Sequence, residues 1–196
     1  MNSKRIMLAF LVVLGLGVML SFASAQRAAS PNLEDEDETA SLSDNRAQRG
    51  LQIAPVPLNV SEKKRGLVGL GSYIVNAQGA CNDCHTCPSF EPGRSPYQGR
   101  DGRVNARNYL AGGVHFGPFT SANLTPDSRG LPAGLTRERF IETIRTGRDP
   151  DHPDQFLQVM PWPIYRNMTD RDLRAVYAYL SAIPHAEPGV CAGPGE

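Results

Sequence analysis

The sequence has no surplus of either charge: 20 Lys and Arg stand against 20 Asp and Glu. The basic residues are scattered and form no aromatic-basic stripe, so nucleic acid is set aside as a partner. Aromatic residues make up 7% of the chain, with a single Trp, and apolar residues 40%. That is enough for one domain, or one domain with appendages, built on a modest core. The 19 Gly and 16 Pro place much of the chain in loops and turns. Only one long stretch is apolar and free of charge, Leu8 to Leu20. No Cys follows that stretch directly, which argues against a lipoprotein. The four Cys lie in no βαβ context, which argues against a thioredoxin-like dithiol.

The N-terminus reads as a targeting segment. Lys4 and Arg5 precede the apolar run, and Ala23-Ser24-Ala25 fits a small-x-small cleavage site. Residues 1–25 are therefore expected to be a signal peptide, with an uncleaved membrane anchor as the alternative. Residues 26–61 read as a disordered linker. Glu34-Asp35-Glu36-Asp37-Glu38 is a like-charge block, and Pro55-Val56-Pro57 is an extended connector. The block is a solvated tail or, on a sharper reading, a docking arm for a basic partner.

From Gly66 a helical period appears. Leu67, Leu70, Ile74 and Ala77 share one face, and Gly79 marks the stop. Cys81-Asn82-Asp83-Cys84-His85 follows at once. This spacing is the attachment signature of a c-type haem. Two thiols three positions apart reach the two vinyl groups of one porphyrin edge as thioethers, and the adjoining imidazole is aimed at the iron. Zinc is a weaker reading of Cys81, Cys84, His85 and Cys87, because structural zinc sites pair two separated ligand groups. Residues 86–134 carry no regular period. Thr136 then caps a short helix bearing Phe140, Ile141 and Ile144, which stops at Gly147. A last helix is announced by Thr169 and Asp172 as a capping-box variant, with Met168 and Leu173 in the staple positions. It carries Val176, Tyr177, Leu180 and Ile183 as its apolar stripe.

An amphipathic helix running into Cys-x-x-Cys-His resembles the opening of a class I c-type cytochrome, and the likeness extends over about residues 66–186. Gly69 and Tyr73 match that family's first-helix pair, and Val176 and Tyr179 its last-helix partners. The run from Gly112 to Asp127 resembles cytochrome domains of periplasmic alcohol dehydrogenase systems. The resemblance implies an all-α class I cytochrome c fold, with about three main helices and a long loop wrapped round one covalent haem c. It implies a cytochrome domain over residues 62–188 and a tail over 189–196. It implies axial ligation by His85 and by Met160, which is followed by Pro161 in the family's manner. Met168, His115, His152 and His185 are rival ligands, each with a simpler reading as a staple or loop residue. The backbone near Pro118 would accept the other ring N–H of His85. Asn123 would contact a haem propionate, or only close a turn; for Thr120 the turn reading is preferred. Trp162 would pack near the haem edge. Cys87 and Cys191, an even pair in an oxidising compartment, would be bridged where the terminal helices cross.

The function implied is electron transfer in the periplasm, with no catalysis by the chain itself. A dehydrogenase would be the donor, and an oxidase or another cytochrome the acceptor. The membrane would be a partner only if the N-terminal segment stays uncleaved. Two alternatives stand beside it: the haem subunit of a larger dehydrogenase complex, and a five-coordinate haem enzyme or gas sensor.

Overall fold

The computed structural model describes residues 45–191. The expectations for residues 1–25 and for Glu34 to Glu38 lie outside those residues. The first described element corrects the expected linker. Asn45–Ile53 is a helix, α1. Its buried residues are Ala47 and Gly50, two small side chains that give almost no apolar signal in a sequence. Their use is close approach. A Cβ on Gly50 would lie 1.9 Å from the Gly69 carbonyl oxygen, and one on Gly69 2.4 Å from that of Ala47.

Gly69 belongs to α2, Arg65–Tyr73, which continues as a π turn, Ile74–Gln78. The wider turn shifts the phase of the residues after Ile74. Ala77, expected on the buried stripe, is exposed as a result. The opposite face of α2 meets α6, Asp170–Ala182. There the glycine at the crossing is Gly71, where a Cβ would lie 1.9 Å from the Ala175 carbonyl oxygen and 2.8 Å from Tyr179 Cβ. The expectation placed Gly69 in this role. Residues two apart on a helix point about 200° away from each other, so the two glycines serve two different neighbours, α1 and α6.

Between these helices lies the apolar core, which includes Leu70, Ile74, Val75, Phe140, Ile144, Leu173 and Leu180. Each fully buried large side chain contributes about 2 kcal/mol of transfer free energy. Polar groups inside it are paired. The Tyr109 hydroxyl donates to Asn76 Oδ1 at 2.6 Å and stands 3.0 Å from that of Tyr179. Asn76 donates to the Ser72 carbonyl at 2.9 Å, and Ser72 Oγ donates to the Gly50 carbonyl at 2.7 Å. One polar chain thus joins α1, α2, the long loop and α6.

The expected caps are present. Thr136 Oγ1 accepts from Arg139 N at the start of α4, Arg137–Thr146. Gly147 ends that helix at φ +70°. Thr169 and Asp172 form a reciprocal capping box on α6. Within residues 86–134 the regular structure is a two-residue hairpin, β1 His115–Phe116 and β2 Phe119–Thr120, with two 3-10 turns, Pro96–Gln98 and Ala106–Asn108. The molecule is therefore helix-rich. The start of the tail is held to the loop after the attachment motif, as the expected disulfide requires. Gly189 lies so close to Cys87 that a Cβ would be 1.8 Å from the Cys87 carbonyl oxygen, and Cys191 is bonded to Cys87.

Candidate functional site

Cys81–His85 forms a helical turn of its own, α3. The chain enters it through Ala80, a left-handed residue at φ 50°, a conformation that costs a non-glycine residue of order 1 kcal/mol or more and persists where surrounding structure imposes it. Gly79 before it ends the π turn with its N–H on the Ile74 carbonyl at 2.7 Å. A Cβ on Gly79 would stand 3.1 Å from Cys81 Sγ. Cys81 and Cys84 are free thiols, both half-buried. Burial, with the Cys84 thiol next, pushes Cys81 up to about 12. Burial and then Asp83 raise Cys84 as well.

His85 is held by the long loop. Its Nδ1 lies 2.8 Å from the Ala122 carbonyl oxygen. A carbonyl can only accept, so Nδ1 carries the proton and Nε2 keeps its lone pair. Burial holds His85 below its ordinary pKa, against the opposing pull of that carbonyl. The neutral imidazole is the form that ligates a metal. The acceptor expected near Pro118 is thus Ala122. Gly117 and Pro118 form the tip of the hairpin, while the strand that returns from it brings residue 122 back to α3. Two more bonds fix this loop: Gly112 N donates to the His85 carbonyl at 2.7 Å, and Leu110 N to Thr86 Oγ1 at 2.9 Å.

The remaining candidates lie as follows. Met160 is half-buried and packs on the rim of the core to which Cys81 also contributes. Trp162 opens a short helix, α5, Trp162–Tyr165. Its ring stacks on Phe156 at 6.0 Å and covers Gly147, where a Cβ would lie 2.2 Å from ring carbons. Its indole N–H donates to the Leu157 carbonyl at 3.2 Å. Asn123 donates to the Ala186 carbonyl at 2.8 Å and accepts from Thr125 N at 2.8 Å and Thr125 Oγ1 at 2.7 Å. Its acceptor is used within the protein, leaving one amide N–H for any other partner. Cys87 and Cys191 are joined in a disulfide, with Cα atoms 5.3 Å apart. That bond removes Cys87 from any zinc ligand set. Met168 packs against the core cluster that contains Leu173, and His185 is hydrogen-bonded to Pro126 and Glu187.

Reasoning from sequence missed three contributors. Ala122 acts through its backbone, which leaves no side-chain signal. Gly112 sits at φ +73°, and a Cβ there would lie 2.5 Å from the Ser121 carbonyl oxygen, so it lets the chain pass close to the peptide that holds His85. Tyr165 donates to the Gly79 carbonyl at 2.5 Å. Only an aromatic after the Met-Pro pair hints at it.

These residues fit a covalently held haem. Two unbridged thiols and an imidazole stand on one turn, the imidazole keeps Nε2 free, and the backbone beside Cys81 lacks a side chain.

No family model and no solved structure matches the chain. Among curated proteins it is 28% identical over 134 residues to the fructose dehydrogenase cytochrome subunit of Gluconobacter japonicus, covering 68% of this chain and 25% of that one. It is 28% identical over 124 residues to the alcohol dehydrogenase (quinone) cytochrome c subunit of Gluconobacter oxydans, covering 62% and 25%. It is 32% identical over 121 residues to a diheme cytochrome c-type protein of Cereibacter sphaeroides, covering 60% and 36%. The chain spans about a quarter of the length of the first two relatives. With the attachment turn and these relatives together, the chain resembles the c-type cytochromes, and among them the cytochrome c subunits of dehydrogenases.

Proposed function

We propose that this chain is a periplasmic electron carrier of the class I cytochrome c fold, holding one haem c. Cys81 and Cys84 would bind it through thioethers, with His85 and Met160 as the axial ligands. The haem supplies a reversible one-electron couple at its iron. The protein's part is to orient the imidazole, supply the thioether and exclude water. A Met/His pair raises the potential relative to two nitrogen ligands. The observation that carries the reading is the His85–Ala122 hydrogen bond, which fixes the tautomer a ligating imidazole needs. The single haem rests on the single Cys-x-x-Cys-His in the chain.

The donor would be a dehydrogenase, and the acceptor an oxidase or another cytochrome. Lys4, Arg5 and the Ala-x-Ala site support export. Among the described residues no helix is long and apolar enough to cross a membrane. A second reading, the cytochrome subunit of a larger dehydrogenase, is favoured by the names of the relatives. Co-purification with a catalytic subunit would select it. The five-coordinate enzyme or sensor reading needs an open sixth position.

The test is a reduced-minus-oxidised spectrum of the exported protein, followed by a redox titration. The expected result is a covalent haem c with a thioether-to-ferric charge-transfer band and slow cyanide binding. Rapid cyanide and CO binding with no such band would overturn the carrier reading.

A further inference from the structure

If His85 and Met160 ligate one iron, the segments bearing them must stay in register, and the side chain of Tyr165 joins those segments. Tyr165 closes α5, the helix that begins just after Met160. Its hydroxyl donates to the carbonyl of Gly79 at 2.5 Å, between residues 86 positions apart. Gly79 immediately precedes Ala80 and Cys81.

Both ends of this bond are stiff. On the attachment side, the Gly79 N–H is bonded to Ile74, and its missing side chain leaves the space beside Cys81 Sγ. On the Met160 side, Trp162 N donates to the Met160 carbonyl at 2.8 Å, and Arg166 N to the Trp162 carbonyl at 2.8 Å. These bonds tie the chain from Met160 to Arg166 into consecutive turns. Met160, Tyr165, Met168 and Cys81 all pack on the same core. Burial raises the Tyr165 hydroxyl above its ordinary pKa, so it remains a donor at neutral pH.

We propose that Tyr165 is a positioning residue whose hydroxyl clasps the Met160 turn to the haem-attachment turn and holds the thioether in reach of the iron. The inference rests on the His/Met reading above. A thioether is a weak ligand on a short loop. External ligands reach the iron when that loop opens, and the clasp sets how often it does.

Tyr165→Phe keeps the ring and removes one O–H, leaving the Gly79 carbonyl unpaired. In the haem-loaded ferric protein, imidazole should then bind about two- to tenfold more tightly, the range one net hydrogen bond supplies. Tyr177→Phe is the control. Its hydroxyl donates to the Leu135 carbonyl at 3.0 Å, a similar bond that touches neither ligand segment. It should lower the melting temperature and leave imidazole affinity unchanged. In a Met160→Ala background, Tyr165→Phe should add nothing to imidazole affinity. A wild-type thioether band, with Tyr165→Phe no different from Tyr177→Phe towards imidazole, overturns this inference and leaves the carrier reading intact. Absence of the band from the wild-type protein overturns both.

Discussion

His85 donates from Nδ1 to the carbonyl of Ala122 at 2.8 Å, and the path of the chain around Ala122 depends on Gly112. A Cβ on Gly112 would lie 2.5 Å from both the Ala122 carbonyl carbon and the Ser121 carbonyl oxygen, at a backbone φ of +73°. Gly112→Ala should therefore push the 121–122 peptide away from His85. The expected loss is about 2–3 kcal/mol of stability from the clash and the left-handed backbone together. A weaker acceptor also makes the imidazole a poorer electron donor. If His85 ligates the haem iron as proposed, the ferric state would lose more by this, and the potential should rise. A ligand hydrogen bond of about 1 kcal/mol corresponds to about 40 mV for one electron. Denaturant unfolding and a redox titration check the two effects. A potential equal to the wild-type value would detach Ala122 from the tuning of His85.

How much of this was readable beforehand depends on what kind of group carries each role. The helices α2, α4 and α6 show themselves because apolar periodicity and side-chain caps are written in residue types, as at Thr136, Thr169 and Asp172. The Cys81–His85 turn is conspicuous because two thiols and an imidazole at fixed spacing are written in residue types, and the attachment role proposed for it needs those types. The pairing of Cys87 with Cys191 follows from parity, compartment and the family's helix crossing. Roles carried by an absent side chain or by a carbonyl stay hidden. Gly50 and Ala47 build a helix contact with almost no apolar signal. Gly69 and Gly71 look interchangeable until the neighbours of each face are known. The Ala122 carbonyl belongs to a peptide that any residue would supply.

The α1–α2 contact gives a direct test of the helix that composition concealed. Gly50→Ala places a methyl group 1.9 Å from the Gly69 carbonyl oxygen and 2.6 Å from Tyr73 N, backbone atoms that cannot rotate aside. It also disturbs the Ser72-to-Gly50 hydrogen bond. The expected cost is about 2–3 kcal/mol, with α1 released from α2. Amide exchange should show protection lost in residues 45–53 and retained in α4 and α6. Uniform loss across all helices would mean that α1 is integral to the cooperative core.

The Cys87–Cys191 bond closes a loop across a sequence separation of 104. On the chain-entropy account such a loop contributes about 4–5 kcal/mol by restricting the unfolded chain. Replacing both Cys with Ser should lower stability by that order. The segment it anchors also holds Ala186 and Glu187, whose carbonyls accept from Asn123 and Asn108 at 2.8 Å each. Loosening should therefore appear first in residues 184–191 and in the loop around Asn123. Unfolding with and without reductant, compared with the double Ser variant, separates bond loss from substitution. Equal stability of oxidised and reduced protein would show that the hydrogen bonds alone hold the strap.

The same strap carries a pH-dependent contact. His185 Nδ1 faces the Pro126 carbonyl at 2.8 Å, with Thr125 Oγ1 at 3.3 Å, and Nε2 faces the Glu187 carboxylate at 2.9 Å. Pro126 and Glu187 only accept, so the imidazolium alone donates to both. The Glu187 hydrogen bond, followed by the Pro126 carbonyl, holds the His185 pKa above its ordinary 6.5, and Asp127 adds to the negative field. A raised folded-state pKa means that the native protein grips this proton more tightly than the unfolded chain does. The stabilisation is complete below about pH 6.5 and is lost as pH rises through the raised value. Because His185 is exposed, the effect should be small and weakened by salt. The melting temperature of the wild-type protein should exceed that of Glu187→Gln near pH 6 and converge with it in the alkaline range. Two parallel profiles over that range would remove His185 from the pH response and leave the strap to its backbone bonds and the disulfide.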